Sequence, residues 1–376
     1  MTTGTGHHQD ALARFRAMGD PLADALAADL QAMGRRGEAM FDQALRAGIG
    51  AVDDPPDSLR AFFAAVDHVP YWVDWRVMNR ASAAVLRANL FGAAVLGCYS
   101  VPLFYRLGRG ARPLAMTDAL VSGAVMRGRR TARFVLETCF PFGLQREAEG
   151  FRLTLRIRML HARTRRAMLG GGTWDAEADG APMAQAYMAA MSAFLSAHWL
   201  EGLRRIGVRI PAEDAEAVMQ LWRYSSHLMG VHPELLFATE QEAVRFTDRL
   251  FASEPPPGPE AARLMGALFD AVPDVLEEPG WRGRAMQRLF QGLAYRLFGP
   301  AKAADLGVPR TAWRHAPRIV APAMAGLGLL QVVAPRLARD ARLRGMRLWL
   351  QVADYSDVEG EAAAGAWSMQ RVENRG

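Results

Sequence analysis

The chain has 376 residues, 51% of them apolar, with 45 basic and 39 acidic side chains and a net charge of +6. That length admits one large domain or two ordinary ones, with a core able to enclose a cofactor without help from disulfides. An isoelectric point near 9.8 does not mark a nucleic-acid binder here: Lys302 is the only lysine, the arginines are spread along helical text, and no basic block alternates with stacking aromatics or carries finger or zipper spacing.

Runs of alternating Val, Ile, Thr and aromatics are sparse, so the fold is expected to be all-α. The first thirty residues hold no basic segment leading into an apolar one, and the protein is expected to be cytoplasmic. Asp20-Pro21 opens the first clear helix, pairing a cap with a proline at the first helical position. The turn text DDPPD at Asp53–Asp57 breaks the chain next and sets an N-terminal helical segment, 1–60, apart from a core at 61–253. Ala88–Tyr105 carries no charge, but Asn89, Gly92, Gly97, Ser100 and Pro102 interrupt it, and it reads as a buried core helix rather than a membrane span. Cys98 and Cys139 lie in apolar helical text with no metal-site spacing and read as small buried hydrophobes.

The helix around Ala119–Glu137 places Arg127, Arg130, Thr131 and Phe134 at i, i+3, i+4 and i+7. Two cations and a hydroxyl beside an aromatic suit a pocket, where preorganised charge acts on developing negative charge. They suit a solvated arginine face with Phe134 turned inward equally well. In Phe151–Met168, helical spacing puts Leu153, Ile157, Leu160, His161, Thr164 and Met168 on one face, so His161 is expected to look inward from an apolar stripe, with Arg158 one turn before it and Arg165 one turn after. Such an imidazole is either a satisfied core residue or an axial ligand to iron, and flanking guanidiniums would suit the carboxylates of a porphyrin. No Cys-x-x-Cys-His motif is present, so a haem here would be non-covalent.

Gly170–Gly172 reads as a helix stop. Pro211 to Asp214 places acids in the first turn of a helix that runs to Gly230, near whose end His227 reads as a cationic cap, with a place in the site as the alternative. Thr239 to Glu242 fits a capping box before a helix reaching Phe251. EPPPGP at Glu254–Pro259 marks the boundary of a C-terminal helical extension, 260–355, packed on the core. Within it, Ile319–Pro335 reads as a second buried apolar helix, and the polar, Ala- and Gly-rich 356–376 reads as a flexible tail.

Arg127-x-x-Arg130-Thr131 followed by Arg158-x-x-His161-x-x-x-Arg165, with His161 thirty positions after Thr131, resembles the signature of the rubber oxygenases (latex clearing proteins) and mpaB-type oxygenases. Val69–Trp75 (VPYWVDW), Tyr99–Arg112 (YSVPLFYRLGRGAR), Thr173–Asp175, Leu203–Val208 and Leu221–Leu236 (LWRYSSHLMGVHPELL) agree with the same family in unbroken order. The resemblance implies a globin-like helical core binding b-type haem, with His161 as the proximal iron ligand, Arg158 and Arg165 supporting haem and ligand, and Arg127, Arg130 and Thr131 on the distal side. It implies an oxygenase that uses dioxygen to cleave carbon–carbon double bonds of isoprenoid chains.

Three departures qualify what is carried over. The rubber-cleaving enzymes have lysine where this chain has Arg130, and arginine keeps its proton at any ordinary pH. They use a glutamate just upstream as a base, yet no glutamate lies between Glu38 and Glu137, and Asp118 is the nearest acid. Many are exported, whereas this chain's opening residues favour an intracellular isoprenoid or lipid. The expectation is a haem-dependent oxygenase acting on a small apolar substrate with dioxygen. The alternatives are a haem carrier or sensor without turnover, and a haem-free scaffold resting on a membrane surface through Ile319–Pro335.

Overall fold

Helices begin where the capping residues stand. In the computed structural model, which describes residues 12–116, 123–316 and isolated positions between 334 and 353, Asp20 caps α1 (Pro21–Met33) by accepting from the Ala23 amide at 3.2 Å. α2 (Arg35–Ala47) and α3 (Asp57–Asp67) follow, the latter after the DDPPD turn. Asp74 caps α4 (Trp75–Val95), which continues through a π-helical turn at Leu96–Ser100. Asp118, all but one residue of Ile319–Pro335, and the 356–376 tail lie outside the described residues.

The middle of the chain comprises α5 (Gly108–Ala115), α6 (Ala124–Cys139), α7 (Glu149–Gly170) and α8 (Gln185–Ala193). A second π-helical turn, Phe194–His198, leads from α8 into α9 (Trp199–Arg205). α7 stops at the glycine triplet, with Gly172 at φ 67°. α10 (Ala212–Leu228) starts on Glu213 and Asp214 and ends against Gly230, and α11 (Glu240–Ser253) carries the full Thr239–Glu242 capping box. The C-terminal helices are α12 (Pro259–Asp270), the single turn α13 (Val272–Val275) and α14 (Trp281–Asp305), kinked at Gly299-Pro300. The fold is all-α, with no strand among the described residues.

α4 packs along α10, α7 packs against α6 and α1, and α1 also covers α2 and α3. Phe41, Phe62 and Phe63 meet edge-on or tilted where α2 joins α3. The N-terminal helices are thus packed into the same apolar core as α7. Cys98 and Cys139 are buried free thiols. Among the described residues no single helix is long and apolar enough to cross a membrane; two segments bent by 90°, Trp75–Ala88 and Phe91–Arg106, reach that length and composition only together.

Candidate functional site

Small residues at successive turns of α6 (Ala124, Gly128 and Ala132) leave a groove, because side chains four apart stack on one face of a helix. α12, α13 and α14 roof it with Leu268, Phe269, Val272, Val275 and Phe290, and the α4 end and its π-helical turn close it with Ala93, Leu96 and Gly97. The result is an open cavity whose polar side chains are Arg127, Thr131 and Tyr105. Apolar walls with a few convergent polar groups are what a small-molecule site requires. The C-terminal helices beyond the Glu254–Pro259 turn are therefore part of the cavity and not an appendage to it.

At the polar end, Arg127 Nη2 donates to the Tyr105 hydroxyl at 3.3 Å, while Nη1 is buried without a partner. Thr131 lies one turn along α6 on the same wall. Burial pushes the Tyr105 phenol up, with the Arg127 charge opposing, so the hydroxyl keeps its proton at neutral pH. The face expected from spacing is narrower than four residues. Arg130 is exposed and outside the cavity wall, and Phe134 turns to Trp222 with ring centroids 6.1 Å apart.

α7 is rotated relative to the hydropathy expectation. Its buried stripe is Phe151, Thr154, Leu155, Arg158, Met159, Ala162 and Arg165, and Leu160, expected inside, is 59% exposed. Two arginines can face inward because α1 brings carboxylates to meet them. Arg158 Nε and Nη2 bind Asp20 at 2.6 and 2.9 Å, and Nη1 donates to the Leu228 carbonyl at 3.2 Å. Arg165 binds Asp24 at 2.7 to 3.0 Å and the Met183 carbonyl at 3.1 Å. Every nitrogen of both forks is engaged within the protein, so neither is left open to a cofactor's carboxylates in this structure. Their geometry is that of braces for α7.

His161 sits at the edge of this stripe, partly exposed as a residue but with ring Nδ1 enclosed and unpartnered. Burial first and the Arg165 charge second, against an opposing Asp20, lower its pKa to about 4, so the ring is neutral at pH 7. An enclosed ring nitrogen without a partner costs about 1–3 kcal/mol. A neutral imidazole is also the form that ligates metal, and that donor chemistry is compatible with the iron of a porphyrin. His161 is not part of the described cavity wall; it lies on α7, which packs against the wall helix α6. Among the described residues no cluster of three or more His, Cys, Asp or Glu exists to hold a bare metal ion.

Three features were not visible as site components in the sequence. Asp20 reads there only as a cap, yet it also grips Arg158. Tyr105 lies inside the family-like YSVPLFYRLGRGAR segment, but nothing in its spacing shows that it reaches Arg127 across 22 positions. His227, expected as a cationic cap, is held neutral by burial and by Arg158 and His68; its Nε2 is enclosed without a partner, and its ring stacks on Tyr224 at 6.1 Å.

Comparison with known proteins agrees with this architecture. The family model described as "ER-bound oxygenase mpaB/B'/Rubber oxygenase, catalytic domain" matches residues 71–329. The rubber oxygenase of Streptomyces sp. (strain K30) is 26% identical over 207 residues, which are 53% of this chain and 47% of that protein. The chain thus spans about half the length of the curated relative it matches. The structure of latex clearing protein LCP in the closed state is similar, with a TM-score of 0.70 at 20% identity, covering 90% of this chain and 92% of that one, a likeness of fold.

Proposed function

Since the chain belongs to the family of mpaB-type and rubber oxygenase catalytic domains, we propose that it is a haem-dependent oxygenase that uses dioxygen to cleave a carbon–carbon double bond in an isoprenoid or lipid. The observation that carries this reading is the neutral His161 imidazole with an enclosed, unpartnered Nδ1, on a helix packed against the wall of an apolar cavity.

Bound haem iron would supply the dioxygen chemistry that side chains lack. His161 would hold the iron, and Arg158 and Arg165, locked to Asp20 and Asp24, keep α7 and its imidazole in place. The apolar cavity wall would align an apolar chain by shape. Arg127, Thr131 and Tyr105 present donors to oxygen atoms that enter the cavity, and Arg130, exposed, takes no part in that wall.

A visible spectrum of haem-replete protein, oxidised, reduced and with carbon monoxide, tests the cofactor. The wild type is expected to show a Soret band that His161→Ala abolishes; a colourless wild type sinks the reading. The cavity is tested separately. Gly128→Leu, whose Cβ already meets Val275 at 3.4 Å, is expected to fill the groove and cut alkene-dependent oxygen uptake about tenfold or more while the Soret band persists. Unchanged uptake would move the substrate elsewhere.

A second reading, a haem carrier or sensor without turnover, draws support from one observation. No carboxylate stands among the described residues of the cavity wall, so the wall offers no general base. Oxygen uptake with squalene, farnesyl compounds or polyisoprene separates the two: uptake with any of them selects the oxygenase.

A further inference from the structure

The cavity has one feature that a neutral hydrocarbon would not satisfy. Arg133, Arg158 and Arg165, the buried arginines of α6 and α7, meet the carboxylates of Glu149, Asp20 and Asp24. Arg127 meets only the Tyr105 hydroxyl, and its Nη1 is buried without a partner on a wall that is otherwise almost wholly apolar. A buried cationic donor without an acceptor is costly, and an alkene gives it nothing to bind. Thr131, one turn away on the same wall, adds a hydroxyl, and Tyr105, its oxygen receiving Nη2, keeps a proton to donate. These donors suit a small anionic group. Because Arg127 is the only cation in the described wall, the charge matched is single, a carboxylate rather than a diphosphate.

We infer that the cavity takes a long-chain carboxylic acid, its apolar tail along the small-residue groove of α6 and its carboxylate on Arg127 and Thr131, and so selects acidic over neutral chains. This rests on the reading of the cavity as the substrate site. Arg127 is then the residue that sets substrate class, and a chain anchored by its head presents a fixed position along its length to the reaction, whereas an unanchored polymer slides.

Titration calorimetry on the full chain as purified, with oleate and with oleyl alcohol as its neutral match, tests the inference. Oleate is expected to bind wild type about tenfold or more tighter than the alcohol, the worth of a charge-assisted contact in a dry site. Arg127→Gln should weaken oleate far more than the alcohol and bring the two affinities together, while Arg127→Lys should keep part of the preference. Equal affinities in the wild type, or a preference that survives Arg127→Gln, overturn the inference and leave the cavity reading standing. If neither ligand binds, or if both bind Gly128→Leu as tightly as wild type, the cavity reading falls as well. Should Arg127→Gln lose its Soret band yet retain the oleate preference, the guanidinium serves the cofactor's own carboxylates, and the inference is wrong.

Discussion

Asp20→Ala is expected to lower the unfolding free energy by about 3–5 kcal/mol, seen as a drop in the urea midpoint. The residue holds two positions at once. As the cap of α1 it accepts from the Ala23 amide, a contact worth about 1 kcal/mol. As the partner of Arg158 it closes a two-pronged ion pair in which the side chains are 5% and 11% exposed. Removing one member of such a pair strands a buried charge, at about 3–5 kcal/mol, whereas replacing both by apolar groups is often neutral. Arg158 also lies 4.7 Å over the Phe62 ring, so the stranded guanidinium has an apolar face on one side. Asp20→Asn should keep the cap and cost less than alanine, and Asp20→Leu combined with Arg158→Met should recover most of the loss. A cost below about 1 kcal/mol for Asp20→Ala would show that water reaches the pair. Because Arg158 stands one turn before His161, the alanine variant should also bind haem more weakly in a reconstitution titration.

Gly230→Ala is expected to cost nearly as much, for a different reason. Gly230 ends α10 at φ 81°, a left-handed conformation that costs an L-residue about 1–2 kcal/mol. A methyl there would overlap the Asp20 carboxylate and the Arg158 guanidinium, and those groups are fixed by each other and cannot swing away. Gln185 ties the same junction together, donating to the carbonyls of Gly19 and Gly230 at 3.0 and 2.9 Å and accepting from the His232 amide at 2.8 Å. A double-mutant cycle gives the check. If alanine at 230 acts by displacing the pair, Asp20→Ala and Gly230→Ala together should cost little more than the larger single effect. Additive costs would mean the glycine is needed for its backbone conformation alone.

Much of the site was within reach of local reasoning, and the misses share a cause. Arg127 and Thr131 lie four apart on a helix that was legible from composition, and they do line a cavity together. Arg130, one position before Thr131, falls outside that wall because the groove follows the small residues Ala124, Gly128 and Ala132. The α7 stripe was misplaced by one helical position because hydropathy scores arginine as exterior. That rule fails where a carboxylate arrives from elsewhere, and Asp20 is 138 positions from Arg158. His227 was assigned by its nearness to a helix end, a location that favours the charged ring only if burial does not remove the charge.

What the sequence determines by itself is therefore local. Caps at Asp20 and Thr239, the stop at Gly170–Gly172, the all-helical composition and the spacing of Arg127 and Thr131 are written in residues that lie within a few turns of one another. Which face of α7 is buried, which arginines are braces, that Arg127 keeps one nitrogen unpartnered on the cavity wall, and that helices after Glu254 roof the cavity, were decided only when distant helices met. Desolvation is the physical reason: a guanidinium enters the interior at least cost beside a carboxylate, and the carboxylates that meet Arg158 and Arg165 come from α1, 138 and 141 positions away.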